Sequence, residues 1–240
     1  MPRIERLPEP HVYPAYGIYL LQSQHRLVRR LKRLYEPSVH GHKTWGSSFL
    51  LMDYLEHEPM RNKASVMEIG CGWGPAAIYC AKRFDAKVTG VDMDPDVFPF
   101  MEVLAALNDV DVESLVSKYE DLTAKQLSTQ KLLIGSDVCF WDKLVKPLSK
   151  LITRALKSGV ERVIIADPGR PTFYELADLC SKKHDVSLQE WFAVQPNHFT
   201  GEVLEIRARA EGKKTNKKSE KKEKKSAKPR ASKKPTKKAG

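Results

Sequence analysis

The sequence predicts an α/β fold: a doubly wound, mostly parallel seven-stranded sheet with an antiparallel C-terminal strand. Three observations lead there. From Ser65 onward short apolar strands alternate with stretches of helical periodicity, as parallel strands require when each needs a crossover helix. Val160–Ala166 is the most β-like run in the chain, and its apolar stretch Val163–Ala166 suits a strand covered on both faces. The last two apolar segments, Val186–Val194 and Val203–Arg207, are joined by Gln-Pro-Asn-His-Phe-Thr-Gly with no helix between them. They should therefore pair antiparallel.

The 240 residues are 41% apolar and 30% charged, enough for one sizeable core. The net charge of +11 is local: residues 211–240 hold 14 Lys/Arg against 3 Asp/Glu, and the rest carries 27 of each sign. A neutral body with a basic tail is expected, divided into an N-terminal helical extension (1–44), a main domain (45–210) and a disordered Lys-rich tail (211–240). Lys213 onward has no aromatic or branched apolar residue and so cannot offset the entropy of ordering. Cys71, Cys80, Cys139 and Cys180 lie far apart with no C-x-x-C pair, against a disulfide scaffold and a structural zinc site. No metal is expected. The amino terminus lacks the layout of a signal peptide. Apolar runs such as Phe49–Met52 and Val163–Ala166 fall far short of the ~20 residues that span a bilayer. A cytoplasmic monomer with no membrane contact is the expectation.

In chain order, the first sixteen residues hold four of the fifteen prolines and form an irregular lead-in. From Ile18 to Tyr35, Leu20, Leu27, Leu31 and Leu34 recur at helical spacing. Arg26, Arg29, Arg30, Lys32 and Arg33 lie opposite, as a solvated face or a phosphate- or partner-facing stripe. A loop bearing His40 and His42 leads to Trp45-Gly46-Ser47-Ser48, then a short helix with Phe49, Leu50, Met52, Tyr54 and Leu55 on its apolar side. Strands follow at Val66–Ile69, Lys87–Val91, Ser114–Ser117 and Leu132–Ile134, with helices at Pro75–Phe84 and Asp96–Leu107. Lys143–Ser158 sets Leu144, Leu148, Leu151 and Ala155 on one face and stops at Gly159, a residue suited to the left-handed C′ position. A last helix covers Thr172–Lys182. Ligands of such sheets bind beyond the carboxyl ends of the strands, so function is sought at 69–74, Asp92, Glu120, Asp137 and Asp167.

Glu68-Ile69-Gly70-Cys71-Gly72-Trp73-Gly74 closes a strand and opens a helix at Pro75, favoured at N1 because no helical donor is lost there. Gly70, Gly72 and Gly74 let the backbone turn sharply and approach a ligand. Asp92 follows Gly70 by 22 residues at the tip of the next strand, where a carboxylate can accept ribose hydroxyls. A dinucleotide site wants G-x-G-x-x-G. Here the third glycine comes one position early, position 75 is Pro, and Glu68 adds a negative charge. That charge suits a cationic ligand such as S-adenosyl-L-methionine.

On these residues the chain resembles the class I, Rossmann-like methyltransferases, over about 45–210. Their first motif stands here as Glu68 to Gly74 and their ribose acid as Asp92. Finer matches point to the seven-β-strand group that includes many lysine-modifying enzymes: Trp45-Gly46-Ser47-Ser48 before the first strand, Asp137-Val138-Cys139-Phe140 after strand four, and Asp167-Pro168-Gly169-Arg170 after strand five. The last looks like the electron-transfer flavoprotein β-subunit lysine methyltransferase and its bacterial relatives. The resemblance implies S-adenosyl-L-methionine as cofactor, held by Trp45, Glu68, Gly70, Gly72, Gly74, Asp92, Met93, Glu120 and Asp137. The acid usual past strand three is displaced here to Glu120 and Asp121.

Methyl transfer is an in-line displacement that alignment and desolvation can catalyse. An amine must be uncharged to attack, and an apolar pocket lowers its pKa. Asp137 is assigned as orienting acceptor, Phe140 and Trp141 as pocket walls, and Asp167 as a second carboxylate. Alternatively, Asp137 caps a helix and the aromatics are core. The prolines of the nucleobase-modifying Asn/Asp-Pro-Pro-aromatic motif are absent. The expected activity is transfer to nitrogen, with a protein lysine ahead of a small-molecule N- or O-acceptor. The competing role is a nucleic-acid-associated module that keeps the fold. The tail would bind nucleic acid or ribosomes non-specifically.

Overall fold

The computed structural model describes residues 9–38 and 40–209; the tail expected at 211–240 lies outside them. The elements are β1 (Val12–Ala15), β2 (Ile18–Leu21), α1 (Arg26–Leu31), α2 (Gly46–His57), β3 (Ser65–Ile69), α3 (Pro75–Phe84), β4 (Lys87–Asp92), α4 (Phe98–Leu107), β5 (Val112–Val116), α5 (Ala124–Ser128), β6 (Leu132–Ser136), α6 (Asp142–Lys157), β7 (Arg162–Asp167), α7 (Pro171–Ser181), β8 (Asp185–Ala193) and β9 (Phe199–Arg207). Seven strands form one sheet in the order β5-β4-β3-β6-β7-β9-β8. The pairs among β5, β4, β3, β6 and β7 are parallel, and β9 runs antiparallel to both β7 and β8. This is the predicted sheet, antiparallel strand included.

Alternation along each strand divides the core in two. Val66, Val88, Ile134 and Ile164 face the layer of α2, α3 and α4. Met67, Val91, Leu133 and Ile165 face α6 and α7, where Leu148, Leu151 and Phe173 are fully buried. The helix α2 is buried continuously from Ser47 to Leu55, which explains why its apolar residues occupy more than one face. Gly159 has φ +102 just past the α6 cap at Ser158, as its position predicted. Among the described residues, no helix is long and apolar enough to cross a membrane.

The N-terminal extension corrects the reading of 18–35 as one helix. Tyr16 and Gly17 both have positive φ (50° and 78°) and close a β1–β2 hairpin in the register Ala15↔Ile18, the conformation that two-residue hairpin turns favour. Ile18 and Leu20 face inward with Tyr19 outward, so their spacing serves a period of two rather than 3.6. The helix begins only at Arg26, where the His25 ring accepts the Leu27 N–H (3.3 Å), and Leu34 is 66% exposed. Smaller differences are a 3-10 turn at Pro95–Val97 before α4, the placing of β5 two residues early, and the unforeseen α5.

Side chains of the domain tie the hairpin down, among them Gln195, whose Oε1 accepts the Tyr16 N–H (2.8 Å), Asn108 and Asp53. Asn108 accepts the Tyr19 N–H (2.7 Å) and donates to the Tyr19 carbonyl (2.8 Å). Buried Asp53 on α2 accepts from the Tyr16 hydroxyl (2.7 Å) and the Trp191 indole N–H (3.1 Å). Asp53→Ala strands both donors, so urea unfolding should report a loss of about 2 kcal/mol. A change below about 0.5 kcal/mol would show that the hairpin does not depend on this carboxylate.

Candidate active site

The turn leaving β3 is built around Glu68. Its side chain is fully buried, and its Oε2 accepts the Ala77 N–H (2.8 Å). Gly74 is the N-cap of α3 and Pro75 its first residue, so Ala77 is N3 and Glu68 satisfies a donor that a capping side chain would otherwise take. Its Oε1 has no partner. Burial, with the Asp92 charge adding to it, pushes the carboxyl up to about 8 against the Ala77 bond that lowers it. Gly74 packs its Cα against Met101, where a Cβ would come within 2.6 Å. A Cβ on Gly72 (φ +52) would instead meet only open space.

That open space is a cavity of about 630 Å³ across the carboxyl ends of β3, β4 and β6, within the size range of small-molecule sites. Asp92, at the end of β4, forms one side. Its Oδ2 accepts the Gly72 N–H (3.0 Å) and its Oδ1 the Asp94 N–H (3.1 Å). Both oxygens keep lone pairs for further donors. Burial raises its pKa, and the two backbone bonds oppose the shift. Met93 and Glu120 line the same side. Tyr119 lies there too, with a buried hydroxyl that has no partner.

The opposite side carries Asp137. It follows β6 with φ +58, a left-handed conformation that Asp tolerates better than most residues, and its N–H donates to the Ala166 carbonyl (3.0 Å). Its side chain is 11% exposed, and Oδ1 lies 2.7 Å from Arg170 Nη2. The contact is an ion pair off the N–H axis, since no donor points at Oδ1. Arg170 also donates through Nη1 to Oδ2 of the fully buried Asp167 (2.7 Å). Asp167 Oδ1 accepts the Gly169 and Arg170 N–H groups (3.0 and 2.9 Å). Burial pushes the Asp167 carboxyl up, and these Arg170 contacts counter it.

Aromatic rings close the mouth. The His40 ring meets Trp45 and Phe140 edge-on at 5.6 and 5.1 Å and lies tilted 6.4 Å from Trp141. Phe140 and Trp141 contact each other at 4.7 Å. The His40 carbonyl accepts the Trp45 indole N–H (2.8 Å), and the Gly41 carbonyl that of Trp73 (2.9 Å). Lys43 Nζ sits 4.1 Å over the Trp45 ring and Lys143 Nζ 4.4 Å over Trp141.

The sequence-predicted residues Trp45, Gly70, Gly72, Asp92, Met93, Glu120, Asp137, Phe140 and Trp141 thus come together around one cavity, while Glu68 and Gly74 lie beneath it. Asp167 is the anchor of Arg170 and does not line the cavity. Sequence reasoning missed Arg170 and His40. Arg170 stands three residues after an acid in Asp-Pro-Gly-Arg, a spacing that could have suggested the pair. Among the described residues no group of three His, Cys, Asp or Glu is placed to hold a metal, and all four cysteines are buried and free.

A cavity lined by Asp92, Glu120 and Asp137 with an open glycine backbone fits a cationic nucleoside; the negative charge expected of Glu68 is not part of that fit, because burial beneath the cavity holds the proton on its carboxyl up to about 8. Residues 66–159 match the family model of a methyltransferase domain. The electron transfer flavoprotein beta subunit lysine methyltransferase of Xenopus laevis is 26% identical over 128 residues, 53% of this chain and 51% of that protein. A putative protein N5-glutamine methyltransferase of Methanocaldococcus jannaschii is 34% identical over 93 residues, 38% of this chain and 42% of that one. The chain therefore spans about half the length, or less, of these curated relatives. The structure of M. jannaschii TYW2 in complex with AdoMet superposes with a TM-score of 0.51 at 14% identity, covering 82% of this chain and 86% of that one. At that identity the likeness is one of fold.

The raised Glu68 pKa has a consequence for stability. The folded chain holds the Glu68 proton more tightly than the unfolded chain, so ionisation of the unfolded state costs stability as pH rises from about 4.5 towards about 8. Glu68→Gln removes that loss. The melting temperature of Glu68→Gln relative to the unsubstituted chain should rise by several degrees (~4 °C or more) between pH 5 and pH 8. A pH-independent difference in thermal melts would contradict the buried, unpaired carboxyl.

Proposed function

From the premise that the central domain of this chain is a class I, Rossmann-like, S-adenosylmethionine-dependent methyltransferase domain, we propose transfer of the methyl group to a nitrogen acceptor, with a protein lysine as substrate. The observation that carries the reading is the company Asp137 keeps. A largely buried carboxylate of fixed direction faces the same cavity as Gly72 and Asp92, next to the rings of His40, Phe140 and Trp141.

When bound, the cofactor supplies a methyl group on a positively charged sulfur, open to in-line displacement. Asp92, held by two backbone N–H groups, binds the ribose hydroxyls. Gly72 allows the nucleoside to approach the backbone, and Trp45, Met93 and Glu120 bound its site. Arg170 fixes one oxygen of Asp137, leaving the other to accept an N–H from the incoming amine and aim its lone pair. Phe140, Trp141 and His40 exclude water from that amine. A free lysine has a pKa of ~10.4, and desolvation by the rings lowers it so that the proton is lost to solvent before attack. The ammonium groups of Lys43 and Lys143 already rest on indole faces at this mouth, which supports its affinity for a lysine head group. The two curated relatives are named for modifying protein nitrogen, a lysine and a glutamine amide.

Radiolabelled S-adenosylmethionine incubated with the chain and a lysate of its host should label one or a few protein bands, with the label on lysine after hydrolysis. Label only in nucleic acid or small molecules would refute the acceptor. Asp92→Ala should weaken cofactor binding by ~100-fold in calorimetry. Asp137→Asn, which keeps the left-handed backbone, should leave that affinity within about threefold yet lower turnover by ~100-fold. Equal turnover in Asp137→Asn would remove Asp137 from the chemistry.

A further inference from the structure

We propose that the face of β8 left bare beside α7 docks a basic, partly apolar segment of the protein substrate, next to the lysine that enters the cleft. The inference rests on the proposed protein acceptor and adds how that protein is held. Residues opposite one another across paired strands share a face. Leu188 stands opposite Leu204 and Glu190 opposite Glu202, and Leu204 is buried in the layer of α6 and α7. Val186, Leu188, Glu190 and Phe192 therefore all point to the α7 side. The cover stops short of the sheet edge. Val186 still packs on that core, whereas Leu188 is 37% and Phe192 58% exposed. Tyr174, also exposed, reaches in from the first turn of α7 and donates its hydroxyl to Glu202 Oε1 (2.8 Å).

The charges around these apolar groups are of one sign. Glu190 is exposed and lies directly across from the buried Glu202, a like-charge pairing that strands disfavour. The bond to Glu202, followed by burial and the charges of Glu202 and Glu190, raises the Tyr174 pKa. Asp178, one helical turn on from Tyr174, is exposed on the same side of α7. Glu190, Glu202 and Asp178 make no ion pair among the described residues. The cations of these elements are placed elsewhere. Arg170 is engaged by Asp137 and Asp167, Lys182 and Lys183 follow the far end of α7, and Arg207 is bonded to Glu205, which faces Tyr54.

These features select one occupant. Carboxylates repel a polyanion, and a second copy meeting this face by two-fold symmetry would set the same acids against one another. A polypeptide with Lys or Arg between apolar side chains matches both the acids and the uncovered Leu188, Phe192 and Tyr174. The face also runs up to the cleft: a Cβ on Gly169 would lie 3.3 Å from the Tyr174 hydroxyl and 3.5 Å from Glu202 Cγ, and the next residue, Arg170, lines the cavity.

The test uses a fluorescein-labelled nine-residue peptide, the length of β8, in which Lys and Arg alternate with Val and Leu. It is titrated into the full-length chain and into Glu190→Lys and Phe192→Ser, all with S-adenosylhomocysteine present. Each variant should bind the peptide about tenfold more weakly, with unchanged affinity for S-adenosylhomocysteine. Equal peptide affinity in the three proteins would overturn the proposal. With radiolabelled S-adenosylmethionine, Glu190→Lys should raise KM for the peptide about tenfold at constant kcat; an unchanged KM would refute the docking face. Peptide binding that Glu190→Lys weakens, without any methyl transfer, would uphold the docking face and count against lysine as the acceptor. A dimer in sedimentation that Phe192→Ser dissociates would assign the face to a second copy and overturn the proposal.

Discussion

β3 sits where the strand order reverses, with β4 on one side and β6 on the other, and the chain leaves these neighbours to cover opposite faces of the sheet. A crevice opens at such a point because the flanking connections diverge. The turn that enters it must also start α3. Glu68 reconciles the two demands: its buried carboxyl caps α3 through Ala77, while the backbone at Gly72 stays bare towards the cavity. Asp92 then fastens the same turn from the β4 side through the Gly72 N–H. Glu68 on β3, Gly72 in the turn that follows and Asp92 on β4 therefore define both the start of α3 and one side of the cleft.

On the other side of β3 the cleft is shaped by charge. Asp167 is fully buried at the end of β7 and is matched by two backbone donors and Arg170. Arg170 spans to Asp137 at the end of β6, so a single guanidinium links the tips of neighbouring strands. Breaking such a partly buried pair leaves an uncompensated charge, which makes the direction of the Asp137 carboxylate a property of the sheet rather than of a loop. The rings of Phe140 and Trp141 follow at once in sequence, and His40 reaches them from the N-terminal side.

The parts of this arrangement that were legible in the sequence are those governed by neighbours in the chain. The strand, glycine turn and Pro75 at the start of α3 are one continuous signal, and Asp92 follows from the regular spacing of the next strand. Gly159 marked the end of α6. The hairpin was not legible because Leu20, Leu27, Leu31 and Leu34 happen to fall at helical intervals, and the Tyr16-Gly17 turn that overrides them carries only one glycine. The pairing of Arg170 with Asp137 and the seating of His40 among Trp45, Phe140 and Trp141 depend on contacts between distant segments. No periodicity encodes them. The residue types were visible, and their company was not.

An electron-density map of the chain with S-adenosylhomocysteine bound would test the site most directly. The ribose hydroxyls should rest on the Asp92 carboxylate, the nucleoside should lie against Gly72, and the sulfur should be directed towards Asp137 and the Phe140–Trp141 rings. Density for the nucleoside elsewhere, or a sulfur facing away from Asp137, would contradict this arrangement.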